Sequence, residues 1–185
     1  MQRKTVLAAL LSLAVVSPAF AREVAGVTLP DTTTVEGKTL KLNGMGLRTK
    51  VVFKVYVAGL YLETPSKDAG AVISSDQVKQ MQLSLLRGLD HSKITEAISE
   101  GFEKNSKASL GALKVRLDRL NSMIPNVEKG DQIVLTYVPG KGTVVSAKNV
   151  EKGVIEGKDF ADALFSVWLG PQPVQEDLKK RLLGG

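Results

Sequence analysis

Residues Leu47–Glu63 read LRTKVVFKVYVAGLYLE. The stretch is rich in Val, Phe and Tyr and has no proline, which is strand composition. Alternation puts Val51, Phe53, Val55, Val57 and Tyr61 on one face. Lys50, Val52, Lys54, Tyr56, Ala58, Leu60 and Leu62 lie on the other, which turns apolar toward its end. One strand of this length needs cover on both faces. Upstream, Lys38–Asn43 reads as another strand, and Asn43-Gly44-Met45-Gly46 as a turn between the two. Val24–Leu29 is a short strand stopped by Pro30-Asp31.

Downstream, Asp68–Ser74 reads as a short helix and Val78–Leu86 as a half-exposed strand. Met81, Leu83 and Leu85 lie on one face of that strand, and Gln80, Gln82 and Ser84 on the other. Ile94, Ala97, Ile98 and Phe102 have helical spacing behind Asp90-His91-Ser92. Leu110, Leu113, Leu117, Leu120 and Ile124 give a second amphipathic helix. Asp131–Val138 and Thr143–Ala147 are strands joined by Pro139-Gly140-Lys141-Gly142, with one more strand at Val150–Ile155. Lys158–Leu169 is a helix with Phe160, Ala163, Leu164, Val167 and Trp168 facing inward, and Gln175–Leu183 closes the chain as a short helix. No βαβ alternation is present. The pattern predicts an α+β fold, a large antiparallel sheet with helices packed on one face.

The chain has 185 residues, 43% of them hydrophobic and 24% charged, which suits one domain with a sizeable core. It has no cysteine and a single histidine, which excludes disulfides, thiol catalysis and thiolate or multi-histidine metal sites. No metal and no cofactor are expected. Met1–Ala21 reads as a signal peptide: Arg3 and Lys4, an apolar run over Thr5–Val16, Pro18, then Ala19-Phe20-Ala21. A mature domain over 22–185 holds 23 basic against 19 acidic residues, a net charge of +4. That balance, with few aromatic residues, gives no nucleic-acid signature. No later apolar run reaches spanning length, so no integral membrane segment is expected after signal removal. The proportions of the leader point to a secreted chain in a bacterial periplasm.

Catalytic patterns are weak. Asp90-His91-Ser92 are adjacent, and a triad needs partners from separate elements, so they read as a helix start. Gly44-x-Gly46 lacks a third glycine, and Pro139–Thr143 lacks phosphate-loop spacing. Glu96, Glu100 and Glu103 read as a solvated helix face. Arg48 and Tyr56 share a face eight residues apart, which is ~27 Å along a regular strand and too far for joint action unless the strand bends. The residues alone make Arg48 a surface cation and Tyr56 a sheet tyrosine.

Asn43–Glu63 resembles the bacterial members of the chalcone isomerase-like family. The resemblance rests on G-x-G-x-R at Gly44–Arg48, F-K-V-Y-V-A at Phe53–Ala58 and G-L-Y-L-E at Gly59–Glu63. It runs more loosely over Val24–Leu183. It implies an open-faced β-sandwich with a ligand cleft between sheet and helices. The family holds chalcone–flavanone isomerases and non-catalytic fatty-acid binders that grip the carboxylate with arginine and tyrosine. The arginine falls on Arg48. The position of the isomerase threonine falls on Tyr56, a tyrosine as in the fatty-acid binders. A family threonine or serine falls on Ser166. The positions of the isomerase tyrosine and asparagine fall on Asp90 and Ala97, which supply neither phenol nor amide.

The resemblance therefore implies a non-catalytic protein whose partner is a small amphipathic ligand such as a fatty acid. Arg48, Tyr56 and Ser166 are its candidate ligand-binding residues, and Leu60, Leu62, Phe102, Leu164 and Trp168 the walls of an apolar tunnel. The alternative is an isomerase or intramolecular lyase acting on an unknown enone.

Overall fold

The computed structural model describes residues 21–185, so the expected signal peptide at Met1–Ala21 lies, but for its last residue, outside the described residues. Two short strands, β1 (Ala21–Val24) and β2 (Val27–Pro30), form a hairpin. The segment expected to be one strand from Val24 to Leu29 instead turns at Ala25 and Gly26, both at positive φ (52° and 81°). Such a two-residue corner matches the right-handed twist of the strands it joins.

Seven strands make the main sheet: β3 (Thr32–Val35), β4 (Lys38–Lys50), β5 (Phe53–Leu62), β6 (Lys79–Leu85), β7 (Gln132–Val138), β8 (Gly142–Ala147) and β9 (Val150–Ile155). They pair antiparallel in chain order, a meander without crossovers. Helix α1 (Ala69–Ser74) lies between β5 and β6, and α2 (His91–Asn105) and α3 (Leu110–Met123) lie between β6 and β7. Helices α4 (Lys158–Leu169) and α5 (Glu176–Leu182) follow the last strand. The fold is the α+β arrangement that the periodicities predict, and the helices fall where apolar spacing puts them.

Leu47–Glu63 departs from expectation. It is the end of one strand and the whole of the next, folded at Val51 and Val52, with Lys50 opposite Phe53. Asn43–Gly46, read above as the turn, lies inside β4. Neither Gly44 nor Gly46 has positive φ. Their reason is space: a Cβ on Gly44 would stand 2.1 Å from the Arg181 carbonyl oxygen, and one on Gly46 2.8 Å from Arg181 Cβ. Helix α5 therefore packs against the bare backbone of β4, an approach only glycine permits. Asn43 occupies a bulge there. Its Nδ2 donates to the carbonyls of Leu182 (2.8 Å) and Ser66 (2.9 Å), while its Oδ1 accepts from Ser66 N.

Both faces of the sheet are covered. Ala58, Leu60, Leu62, Met81, Leu83 and Leu135 face the helices. Leu40, Leu42, Val57, Tyr61 and Val78 face the β1–β2 hairpin through Leu29. β6 is therefore buried on both sides rather than half-exposed: Gln80 and Ser84 are covered, and Gln80 accepts from Thr136. Helix α4 is buried nearly all round, because α1, α2 and α5 surround it above the sheet. Its approach to α2 depends on Gly101, where a Cβ would come 2.7 Å from a Val167 methyl. Phe102 beside it is fully buried, a burial worth roughly 1.5–3 kcal/mol.

Candidate functional site

The β4–β5 corner brings together two residues that a straight strand would separate. Arg48 and Tyr56 are direct cross-strand partners. The next pair is Thr49 with Lys54, so Val55 is an extra residue and a bulge lies just beyond the pair. Tyr56 points to the helix side of the sheet, where it packs against the main core.

The Tyr56 hydroxyl accepts a hydrogen bond from Trp168 Nε1 at 3.0 Å. Trp168 comes from α4 and is 3% exposed. A phenol that accepts from an indole keeps its own proton for another acceptor. Burial pushes the Tyr56 pKa above the ordinary tyrosine value, against a smaller pull from the Trp168 hydrogen bond and the Arg48 charge. At neutral pH the group is a neutral donor.

The Arg48 guanidinium is steered by neutral partners. Its Nη1 donates to the Thr49 carbonyl and, at 3.2 Å, to Gln175 Oε1. The same Gln175 oxygen accepts from Thr49 N at 3.0 Å, and Gln175 Nε2 donates to the Leu47 carbonyl at 3.4 Å. Gln175 directly precedes α5 and fastens the end of β4. Among the described residues no carboxylate forms an ion pair with Arg48. A cation held by amides and carbonyls keeps its charge available to an anionic ligand.

Ser166 does not join this pair. Its hydroxyl donates to the Asp162 carbonyl one turn back, at 2.7 Å. It lies two residues before Trp168, roughly 200° around the helix, so the two side chains leave α4 in different directions. Asp90 precedes α2 and is exposed, and Ala97 is exposed on α2.

The five expected tunnel walls are core. Leu60, Leu62, Phe102 and Leu164 have no exposure, and Trp168 almost none. The hollows of the described surface include two that lie away from the Arg48–Tyr56 pair. One, of about 520 Å³, lies between β4 and α5 and is lined by Met45, Gly46, Leu47, Asp177 and Arg181 among others. The other, of about 400 Å³, is lined by Asp76, Tyr137, Lys141 and Lys158 among others. Neither includes Arg48 or Tyr56.

The sequence reading named Trp168 only as an apolar wall and did not name Gln175 as a partner of Arg48. Trp168 carried a signal, as the chain's single tryptophan on an inward helical face, but nothing tied it to Tyr56. Gln175 carried none.

A second polar cluster lies under α1. Lys79 is fully buried, and its Nζ donates to the carbonyls of Val72 (3.0 Å), Ile73 (2.5 Å) and Ser75 (3.2 Å), with Asp162 at 3.6 Å. It satisfies the carbonyls that the end of α1 leaves open. Burial, partly offset by the Asp162 charge, lowers its pKa to about 8. With its donors committed to backbone, Lys79 holds the fold rather than a ligand.

The family model for chalcone isomerase-like proteins matches residues 21–184. The chain belongs to the chalcone isomerase-like family. Among solved structures of this fold, the chain is similar to a fatty-acid binding protein of Arabidopsis thaliana, with a TM-score of 0.69 and 16% identity. The match covers 89% of this chain and 96% of that one. No match was found among curated protein sequences. The chalcone isomerase-like fold thus accounts for the seven-stranded sheet and its helical cover, and at that identity the likeness is one of fold.

Proposed function

We propose that this chain is a non-catalytic binding protein for a fatty acid or a similar amphipathic carboxylate. The observation that carries the reading is the cross-strand pair of Arg48 and Tyr56, with the Tyr56 hydroxyl turned into a free donor by Trp168. A guanidinium beside a phenolic donor suits a carboxylate head, and the buried apolar layer over Leu60 and Phe102 suits a hydrocarbon tail. That layer is closed by its own side chains, so a bound tail requires α4 to part from the sheet. The Arabidopsis protein, named for fatty-acid binding, is consistent with this reading. Asp90 and Ala97 favour binding over isomerisation, since neither orients a phenolate.

We place the protein outside the cytoplasm, on the support of the leader at Met1–Ala21. N-terminal sequencing of the periplasmic form would start at Arg22, and recovery of intact Met1 in that fraction would refute it.

Mass spectrometry of a denaturing extract tests the binding. A long-chain carboxylate retained at near one per chain is expected. No retained lipid, together with no displacement of a fluorescent fatty acid in titration, would overturn the proposal.

A further inference from the structure

We infer that the tip of the β4–β5 hairpin docks on an anionic lipid bilayer. At the tip, Val51 and Val52 are 90% and 81% exposed, and Phe53 is 55% exposed. Val51 also sits at φ 57°, a left-handed conformation that is unfavourable for a β-branched side chain. Other corners of this chain use Ala25-Gly26, Glu36-Gly37 and Lys148-Asn149, residues that tolerate positive φ or water better. Here the fold accepts both strain and exposed apolar surface while neither valine packs on its interior.

Charge identifies the partner. Lys50 and Lys54 flank the tip and are exposed. The Arg87 guanidinium stands over the Phe53 ring, 4.7 Å from its centroid. Glu100, the carboxylate on which Lys50 and Arg48 act, is already paired with Lys104 at 2.6 Å. An apolar point ringed by cations matches a bilayer with anionic headgroups: the valines reach the acyl boundary and the amines stay with phosphate. A protein partner fits less well, since three side chains on a convex tip fall short of the ~800 Å² each side gives to a stable interface. A nucleic acid would engage the cations and leave the valines in water.

The inference stands apart from the carboxylate reading and is tested without a fatty acid. The chain lacks cysteine, so Val52→Cys bearing a polarity-sensitive dye reports the tip. Val115→Cys, at a residue 80% exposed on α3, is the control. The probes are vesicles of phosphatidylglycerol and vesicles of phosphatidylcholine. The expected result is a blue shift at position 52 with phosphatidylglycerol only, and none at 115. Lys54→Gln should weaken partitioning about fivefold. No shift at 52, equal shifts at both positions, or a shift that grows with protein concentration in the absence of vesicles would each overturn the inference; the last would make a second copy the occupant. Unlabelled protein gives an independent reading. Val51→Asp with Val52→Asp should abolish sedimentation with phosphatidylglycerol vesicles while leaving the thermal midpoint in place, and undiminished sedimentation of that folded variant would also overturn it.

Discussion

Trp168 Nε1 and the Tyr56 hydroxyl are joined by a 3.0 Å hydrogen bond that ties α4 to the sheet across 112 positions of chain. Because the chain has one tryptophan, its fluorescence reports the surroundings of this contact and of no other indole. A carboxylate arriving at Tyr56 is expected to shift the emission, and Tyr56→Phe to remove that response. Emission that stays constant through a saturating titration would place the ligand elsewhere.

Arg48→Ala should weaken carboxylate binding by at least ~1.5 kcal/mol, roughly tenfold, the lower end for a charged hydrogen bond. Competition against a fluorescent fatty acid measures it. Tyr56→Phe should weaken binding less. It should also cost stability, about 1–3 kcal/mol, because it leaves the buried indole N–H unpaired. Thermal melts of both variants separate the two effects, since Arg48 is only half-buried and its removal leaves no buried group without a partner.

Gly44→Ala forces a methyl to within 2.1 Å of a helix carbonyl. Overpacking of this kind costs ~1–3 kcal/mol. Hydrogen exchange should speed up selectively in α5, and binding should fall with it, because Gln175 steers Arg48. An unchanged α5 would show that the glycine is there for another reason.

Lys79 makes stability depend on pH in a stated direction. Its folded pKa, about 8, lies below the ordinary 10.5. Between those values the unfolded chain binds the extra proton, so this group's contribution to stability rises as pH rises from 8 to 10.5. The full difference is on the order of 3 kcal/mol. Denaturant unfolding of the native chain and Lys79→Met across this window should diverge, with the variant lacking the upward slope. Parallel curves would mean that Lys79 titrates normally.

The helices were legible because Ile94, Ile98 and Phe102, or Leu113, Leu117 and Leu120, repeat one apolar face. The Val51-Val52 corner was not, because it carries none of the glycine, asparagine or proline that marks a turn. Missing it turned two cross-strand neighbours into residues ~27 Å apart. Gly44 and Gly46 announced something special about the backbone, but a glycine that avoids a helix reads the same as one that makes a bend. Gln175 was invisible because its two oxygen contacts lie 126 and 127 positions back along the chain.

The packing of α5 over the glycines of β4 has a consequence for biosynthesis. The guanidinium acquires its glutamine clamp only when Gln175 and α5 are in place, and Asn43 waits for the carbonyl of Leu182. A chain whose α5 residues are still inside a ribosome or an export channel therefore has the sheet, while the Arg48–Gln175 clamp and the Asn43–Leu182 tie are still unmade.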